Sequence, residues 1–285
     1  MSIAVTGATG QLGSLVIADL LDRGISPAQV AAVVRDPDKA TSLRERGVEV
    51  RVADYTDPVS LRTAFEGVDT LMFVSGSELG QRIAQHRNVI EAARTASVGL
   101  IAYTSVLAAD TSRLAVAPEH RATEAMLAES SVPNVVLRNG WYWENYSATI
   151  AQAAQSGTLY GAAGQGRLAA ATRADYAAAA AAVLTQDGHA GKVYELGGNE
   201  RPTYAEFAAA IGEVAGRPVR YQDLEPAEYA ATLRQSGLPD PVADMLADTD
   251  AAIARGELDT TSGDLARLLG RESTPVAEVI RTAIG

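Results

Sequence analysis

The sequence has no cysteine, only three histidines, and few aromatic residues, which make up 5% of its 285 positions. Without cysteine there is no disulfide, no thiolate nucleophile and no sulfur ligand for zinc or an iron–sulfur cluster. His86, His120 and His189 are too scattered to form a metal-binding motif. We therefore expect chemistry that uses no metal ion.

Long apolar runs and an excess of positive charge are also missing. No apolar run approaches the roughly 20 residues that cross a bilayer, and the N-terminus lacks the basic flank and apolar segment of a signal peptide. The net charge of −11 opposes binding to nucleic-acid phosphates, which depends on Lys and Arg. These features predict a cytoplasmic protein that binds neither membranes nor nucleic acids.

Up to residue 140, short apolar runs alternate with longer amphipathic stretches. This alternation is typical of repeated βαβ units, and it predicts an α/β fold with a Rossmann-like, doubly wound parallel sheet. The predicted strands are Ser2–Thr6, Val30–Val34, Glu49–Val52, Thr70–Val74, Leu100–Thr104 and Val135–Arg138. The predicted helices are about Gly10–Arg23, Pro37–Glu45, Pro58–Phe65, Gln81–Thr95 and Pro118–Glu129.

The pattern loosens after Gly140, which predicts a second, smaller part of the molecule. We expect residues 1–140 to form the main domain, with later segments near 171–200 rejoining it through a strand at Lys192–Leu196. Residues 141–170 and 201–285 form the predicted smaller lobe, which is mostly helical with one strand near Val219–Gln222.

A glycine-rich turn with the spacing G-x-x-G-x-x-G follows the first predicted strand and precedes a helix. In this context the three glycines permit a tight turn, close approach of the backbone to a pyrophosphate, and close packing of helix on strand. A turn that requires glycine for its backbone alone is the alternative. The predicted cofactor contacts of the loop are Gly7, Thr9, Gly10, Gln11, Leu12 and Gly13.

The end of the second strand predicts which dinucleotide binds. An acidic residue there holds the ribose 2′-hydroxyl of NAD, whereas Arg accommodates the 2′-phosphate of NADP. Here the strand ends in Arg35, and Lys39 follows one helical turn later, so NADPH is favoured over NADH. Asp36 and Asp38 lie nearby and could cap the next helix or contact a ribose.

Two further strand ends complete the predicted cofactor site of this NADP-binding domain. Asp54, at the end of the third strand, is placed to contact the adenine amino group; alternatively it caps the next helix, for which Asp57 is better positioned. Ser75 and Gly76 end the fourth strand, where the backbone of a doubly wound sheet passes close to the cofactor, or they form a plain turn.

Five segments carry a family resemblance because their order and spacing match that family: Gly7–Gly13, Val34–Pro37, Ala53–Tyr55, Ala102–Ser105 and Leu137–Tyr142. In these segments the chain resembles the atypical short-chain dehydrogenase/reductases. Within that family it is most similar to the NmrA-like branch, which includes bacterial NADPH:quinone oxidoreductases and triphenylmethane reductase. The resemblance extends over nearly the whole chain. It implies NADP(H) as cofactor and hydride transfer without flavin.

The chain departs from the classical branch of that superfamily, which uses Tyr-x-x-x-Lys beside a serine. Ser105 stands where the family serine is expected, but the helix start reads His120-Arg121-Ala122-Thr123-Glu124, without tyrosine or lysine. Reduction of a ketone by the classical route would lack its positioned acid. A quinone forms a stabler anion, so we expect direct hydride transfer to a quinone or a similar conjugated acceptor.

Catalytic candidates lie near the sixth strand and the following aromatic run. Trp141, Tyr142 and Trp143 are expected to border the substrate slot, with Tyr142 as the catalytic candidate. Asn139 could hydrogen-bond the nicotinamide amide or the substrate oxygen, or cap the helix through Tyr146.

Three other residues are candidates for the site. His120 could hydrogen-bond the reduced quinone or be structural, and Ser105 is a candidate by resemblance alone. The resemblance also places Arg173 near the cleft as a cofactor contact, although with Asp175 as a helix N-cap it could be structural.

Two other functions remain open at this level. NmrA-like proteins include non-enzymatic NADP(H) redox sensors, which the missing Tyr-Lys pair fits equally well. A reductase of triphenylmethane dyes, imines or enones is the other alternative. The acidic stretch Asp240–Asp259 could be a lid, a pocket wall or a dimer surface, and a homodimer is expected only from the frequency of two-fold oligomers.

Overall fold

The computed structural model describes residues 1–285, which divide into two compact units. The first unit comprises residues 1–109, 118–139 and 173–194, and the second comprises 110–117, 140–172 and 195–285. None of the helices combines the length and the apolar character needed to cross a membrane.

A seven-stranded parallel sheet in the order β3-β2-β1-β4-β5-β6-β8 forms the framework, as the sequence predicts. Its strands are β1 (Ile3–Thr6), β2 (Val30–Val34), β3 (Glu49–Val52), β4 (Thr70–Phe73), β5 (Leu100–Val106), β6 (Asn134–Asn139) and β8 (Val193–Leu196). β1, β2 and β4 are buried along their whole length because helices cover both faces of a doubly wound sheet. The order reverses at β1, which pairs with β2 on one side and β4 on the other.

Six helices belong to the first unit: α1 (Gly13–Asp22), α2 (Thr41–Glu45), α3 (Pro58–Ala64), α4 (Arg82–Thr95), α5 (Ala117–Glu129) and α7 (Arg173–Thr185). Between the last two, α6 (Ser147–Ser156) lies in the second unit. α7 packs against α1, and the Arg23 guanidinium donates a hydrogen bond of 3.1 Å to the carbonyl of Ala178. The alanine-rich stretch of α7 is almost entirely buried.

The second unit contains a separate two-stranded parallel sheet of β7 (Thr158–Gly161) and β9 (Arg220–Asp223). Its remaining helices are α8 (Tyr204–Ala215), α9 (Pro226–Gln235), α10 (Asp240–Ala254), α11 (Asp264–Leu269) and α12 (Val276–Ile284). The predominance of helix agrees with the sequence prediction. The strand β7 falls in the glycine-containing stretch where no strand was predicted.

Asp250, on α10, points into the interior of this second unit. Its carboxylate accepts hydrogen bonds from the Tyr204 hydroxyl at 2.7 Å and from the Ala162 N–H at 2.8 Å. The Tyr146 hydroxyl lies 3.0 Å from that of Tyr204. Burial raises the pKa of Asp250 to about 6 despite these donors. This part of the acidic stretch is therefore internal rather than a solvent-exposed surface.

Three local predictions are corrected by the structure. α1 begins at Gly13 rather than Gly10, because residues 10–12 continue the turn. The predicted Pro37–Glu45 helix is a 3-10 turn, Pro37–Ala40, followed by the short α2. Asp175 is the third residue of α7, not its N-cap, because the helix already begins at Arg173.

Candidate functional site

The glycine loop after β1 has the geometry that its spacing predicts. Gly7 has φ +58°, a conformation that glycine adopts without strain, and its carbonyl accepts a hydrogen bond of 2.8 Å from the Gly10 N–H. A Cβ at Gly13 would overlap the same carbonyl oxygen. The loop therefore turns tightly, and α1 starts directly against it.

The start of α1 offers donors for an anion. Leu12 occupies the N-cap position, and no side chain caps this helix terminus. The first N–H groups of a helix have no partner within the helix, and the helix dipole places partial positive charge there. A pyrophosphate carries the complementary charge and acceptors, so the residues present fit a dinucleotide.

A cavity of about 430 Å³ opens over this loop. Its volume falls within the range of roughly 300–1,000 Å³ found for small-molecule sites. Eleven of the predicted cofactor residues line it: Gly7, Thr9, Gly10, Gln11, Leu12, Gly13, Arg35, Lys39, Asp54, Ser75 and Gly76. The cavity lies at the carboxyl ends of β1, β2 and β4, where the strand order reverses, as expected for a doubly wound sheet.

Positive charge at this cavity comes from the end of β2. Arg35 and Lys39 both line the wall, and the Arg35 side chain is 65% exposed. Asp36 accepts a hydrogen bond from the Asp38 N–H at 3.0 Å, so it caps the following turn. Its other oxygen lies 3.6 Å from the Lys39 ammonium. Asp36 thus takes the capping role, one of its two predicted alternatives.

Asp54 and Asp57 have different roles at the end of β3. Asp57 caps α3 by accepting from the Val59 N–H at 2.9 Å, as predicted. Asp54 lines the cavity and accepts from the hydroxyl and N–H of Thr56 at 2.6 and 2.7 Å. These hydrogen bonds, together with the nearby Arg35 charge, lower the pKa of Asp54, so its carboxylate is ionised in neutral solution.

The end of β4 is fastened to its neighbours by side chains that the sequence did not single out. The Tyr55 hydroxyl donates to the Val74 carbonyl at 2.7 Å and lies 2.6 Å from the Thr6 hydroxyl. The Ser75 N–H donates to the Thr104 hydroxyl at 2.9 Å. These contacts fix the backbone at the cavity floor. Burial raises the pKa of Tyr55, which therefore stays protonated.

Ser105 belongs to a buried charged cluster in the first unit. Its hydroxyl donates to a carboxylate oxygen of Glu124, and the Arg138 guanidinium binds the same carboxylate at 3.1 and 2.7 Å. A serine hydroxyl has one proton to donate. Ser105 therefore donates its one hydrogen bond to Glu124. Glu124, four residues after His120, is also paired with Arg138.

His120 is also buried and bonded within the first unit. Its Nδ1 lies 2.7 Å from the Tyr103 hydroxyl. Burial, followed by the charge of Arg82, lowers the pKa of His120 to about 3. The imidazole is neutral at physiological pH. It can therefore contribute a hydrogen bond but not an imidazolium proton.

The remaining catalytic and cofactor-binding candidates are distributed over both units. Asn139 ends β6 in the first unit, and Arg173 is the first residue of α7. Tyr142 lies in the second unit, half-buried and bridged to Ala171. Tyr142, not Asn139, precedes the 3-10 turn Trp143–Tyr146, so the capping alternative for Asn139 is wrong.

Trp143 is not a slot-lining residue. It is fully buried in the second unit, where its ring centroid lies 5.2 Å from that of Phe207 and 5.9 Å from that of Tyr146. Aromatic pairs at these separations stabilise a core. The prediction that all three residues of the aromatic run border the substrate therefore fails for Trp143.

Sequence reasoning missed several residues that line the cavity, among them Ser77, Glu78 and Gln85. Glu78 follows the predicted turn by two positions, and Gln85 lies inside a predicted amphipathic helix. Nothing in their local pattern distinguishes them from solvent-exposed polar residues. No group of three or more acidic or histidine side chains is arranged to hold a metal ion.

Comparison with known protein families gives one match that spans almost the whole chain. The model of the NmrA-like family matches residues 1–278. Quinone oxidoreductase 2 of Escherichia coli K12 is 50% identical over 278 residues, which cover 98% of this chain and 97% of that protein.

Solved structures show the same likeness in three dimensions. An NADPH-dependent quinone oxidoreductase of Escherichia coli, complexed with NADPH, superposes with a TM-score of 0.96 at 49% identity, covering 99% of this chain and 100% of that one. Triphenylmethane reductase of Citrobacter, complexed with NADP(H), gives a TM-score of 0.96 at 41% identity over the same shares of each chain.

Proposed function

Because the chain belongs to the NmrA-like family, we propose that it is an NADPH-dependent reductase that transfers hydride directly to a quinone or a similar conjugated acceptor. The observation that carries the proposal is the 50% identity, over 98% of the chain, to a quinone oxidoreductase. The geometry of the cavity adds independent support, since it joins a glycine loop to Arg35 and Lys39.

The residues of the first unit hold the two charged parts of the dinucleotide. The glycine loop and the uncapped N-terminus of α1 bind the pyrophosphate through backbone N–H groups. Arg35 and Lys39 bind the 2′-phosphate, for which the exposed guanidinium of Arg35 has the matching donor geometry. Ionised Asp54 accepts from the adenine amino group.

The reaction requires little acid catalysis from the protein. When bound, NADPH would supply a hydride from its nicotinamide ring and leave as NADP⁺. Quinone plus hydride gives the monoanion of hydroquinone, and one proton taken from solvent then gives neutral hydroquinone. Ser105 is hydrogen-bonded to Glu124, and His120 is neutral, so neither residue supplies the proton. Water therefore protonates the product. A phenolate-like anion is stable enough to wait for a solvent proton, whereas the alkoxide of a simple ketone needs a positioned acid.

The first test follows NADPH absorbance with purified protein and a panel of acceptors: a small benzoquinone, a cationic triphenylmethane dye and a simple ketone. Rapid oxidation with the quinone, slower oxidation with NADH as donor, and none with the ketone are expected. Tight binding of NADPH without turnover by any acceptor would overturn the reductase and favour a redox sensor.

Reduction of a triphenylmethane dye is the second candidate function. It is favoured by the 41% identity and the TM-score of 0.96 to the Citrobacter dye reductase. The same panel separates the two, because a dye reductase would show a higher kcat/KM with the dye than with the quinone.

A further inference from the structure

The loop after β4 is clamped to α4 by two buried side chains. The Gly76 N–H donates to Nε2 of His86 at 3.0 Å, and the Gly76 carbonyl accepts from Nε of Arg82 at 2.8 Å. Both side chains are buried. Because Nε2 accepts, the His86 proton is on Nδ1, which lies 2.8 Å from the Thr123 hydroxyl. The loop is therefore held in one position at the cavity wall.

Glu78, two residues further along this loop, is held at both carboxylate oxygens. Oε1 lies 2.8 Å from Nη1 of Arg35, and Oε2 accepts from Nε2 of Gln85 at 2.8 Å. Gln85 is 5% exposed on α4, whereas the Arg35 side chain extends into the open cavity. Of the two partners of the Glu78 carboxylate, the buried Gln85 is thus fixed and the exposed Arg35 can move.

The geometry assigns Glu78 as a specificity-determining residue: a fixed carboxylate that competes with the cofactor 2′-phosphate for Arg35 and so limits the preference for NADPH over NADH. The inference rests on the proposed function of the cavity as an NADP(H) site. Glu78 lies outside both the glycine loop and the end of β2, the two segments that predict the pyrophosphate and 2′-phosphate contacts.

The competition follows from the two anchors. Arg35 has to exchange the Glu78 carboxylate for the phosphate, and its exposed guanidinium can turn to do so. The Glu78 carboxylate stays in place when Arg35 turns, because Gln85 and the hydrogen-bonded loop hold it. A dianionic phosphate then binds beside a stationary negative charge. NADH lacks that phosphate and leaves the Arg35–Glu78 pair intact.

The other charges at the cavity wall do not cancel this effect. Asp36 and Asp54 also face the cavity, and Lys39 is the second cation beside Arg35, so two cations oppose three carboxylates when Glu78 is counted. Asp36 is already paired with Lys39, and Asp54 with Thr56. Of the three carboxylates, Glu78 is the one that accepts a hydrogen bond from the Arg35 guanidinium, which the 2′-phosphate also needs.

The test is Glu78→Gln, which keeps the size of the side chain and can still bond to Gln85. Dissociation constants for NADPH and NADH are measured by the fluorescence of the reduced nicotinamide at low and high salt. Removing one charge close to a dianion tightens NADPH binding roughly three- to tenfold at low salt, and less at high salt. NADH binding is expected to change by less than about twofold, because it lacks the interacting phosphate.

Glu91→Gln is the matched control. Glu91 lies on α4 and forms an exposed ion pair of 2.9 Å with Arg94, away from the cavity lining. Its substitution removes one negative charge of the same kind at a distance from the cavity and is expected to leave the ratio of the two dissociation constants unchanged.

A second variant tests the anchor itself. Gln85→Met removes the hydrogen bond to Oε2 while filling the same buried space, so Glu78 can swing away and NADPH binding tightens by a smaller factor than in Glu78→Gln. In an Arg35→Ala background, the gain from Glu78→Gln is expected to shrink, since only repulsion remains to be relieved.

The possible outcomes are distinct. Weaker NADPH binding in Glu78→Gln, equal gains for NADPH and NADH, or no change while the wild-type protein binds NADPH would each overturn the assignment. If the wild-type protein binds neither nucleotide, the proposed function itself is wrong, and the role of Glu78 falls with it.

Discussion

Glu124 and Arg138 form a two-point ion pair in the first unit, with Arg138 Nη2 2.7 Å from Glu124 Oε2 and Nε 3.1 Å from Oε1. The side chains are only 14% and 10% exposed. The pair, with Ser105 bonded to the same carboxylate, occupies the region where classical relatives would need a lysine. Here the region stabilises the fold.

Glu124→Ala is expected to destabilise the protein severely. Removing Glu124 takes two charge-assisted hydrogen bonds from the buried Arg138, and breaking a buried ion pair in this way costs about 3–5 kcal/mol of unfolding free energy. Urea denaturation measures the change. Glu91→Ala, which breaks an exposed pair, is the control and should cost less than about 1 kcal/mol. Equal losses in the two variants would contradict the structural role of the buried pair.

Gly13→Ala is expected to impair both the fold and the cofactor site. A Cβ at this position overlaps the Gly7 carbonyl oxygen, so the glycine loop or α1 has to move. We expect a loss of roughly 1–3 kcal/mol in unfolding free energy, typical of overpacking. NADPH binding should weaken by about tenfold or more, equivalent to about 1.4 kcal/mol.

The control for that variant is Ser14→Ala, one residue further along α1, which alters neither the turn nor the helix start. Titration of NADPH and thermal unfolding of both variants give the two readouts. NADPH affinity of wild-type strength in Gly13→Ala would show that the tight turn is not required for binding.

Arg35→Ala is expected to remove most of the preference for NADPH. A charge-assisted hydrogen bond contributes about 1.5–3 kcal/mol, so NADPH binding should weaken roughly 10- to 100-fold. NADH binding should stay nearly constant. Arg62→Ala, an exposed arginine on α3, is the control. A parallel loss for both nucleotides would mean that Arg35 supports the cavity rather than the 2′-phosphate.

The buried histidines predict loss of stability in mild acid. The pKa of His120 is lowered to about 3 in the folded protein, against 6.5 for a free imidazole. Between these values the unfolded chain binds more protons, so the unfolding free energy falls as pH falls from 7.5 to 5. At pH 5 the contribution lost by His120 is about 2 kcal/mol.

His120→Gln tests this linkage, because an amide keeps a hydrogen-bonding group near Tyr103 but does not titrate. Unfolding free energies of the wild-type and variant proteins are compared at pH 7.5 and pH 5. The difference between them should change by about 2 kcal/mol in favour of the variant on acidification. Parallel pH profiles would contradict a lowered pKa for His120.

The strands of the large sheet were predicted well because their signal is local. β2 and β3 have the predicted bounds, and β2 is a continuous apolar run of the kind that a sheet covered on both faces requires. β7 was missed because Gly157 precedes it and Gly161 is its last residue. Glycine is typical of turns and weakens a strand pattern, so this segment has the local signature of a loop.

The same distinction applies to the site. The glycine loop, Arg35 and Asp54 could be found because each directly follows a recognisable strand. Glu78 and Gln85 could not, since they meet only after the loop folds back onto α4. Likewise, no sequence pattern distinguishes Trp143, a core residue, from its exposed or half-buried neighbours until the packing of Phe207 is known.

The packing of α7 on α1 has a consequence for synthesis on the ribosome. The first unit is assembled from three separate chain segments, and the helix that covers α1 is encoded after residues 140–172 of the second unit. The nascent chain emerges N-terminus first, so the apolar face of α1 stays uncovered until Arg173–Thr185 has left the exit tunnel. Folding of the first unit is thus delayed until Thr185 has emerged, when more than 185 of the 285 residues have been made, and in this interval a chaperone has a defined surface to protect.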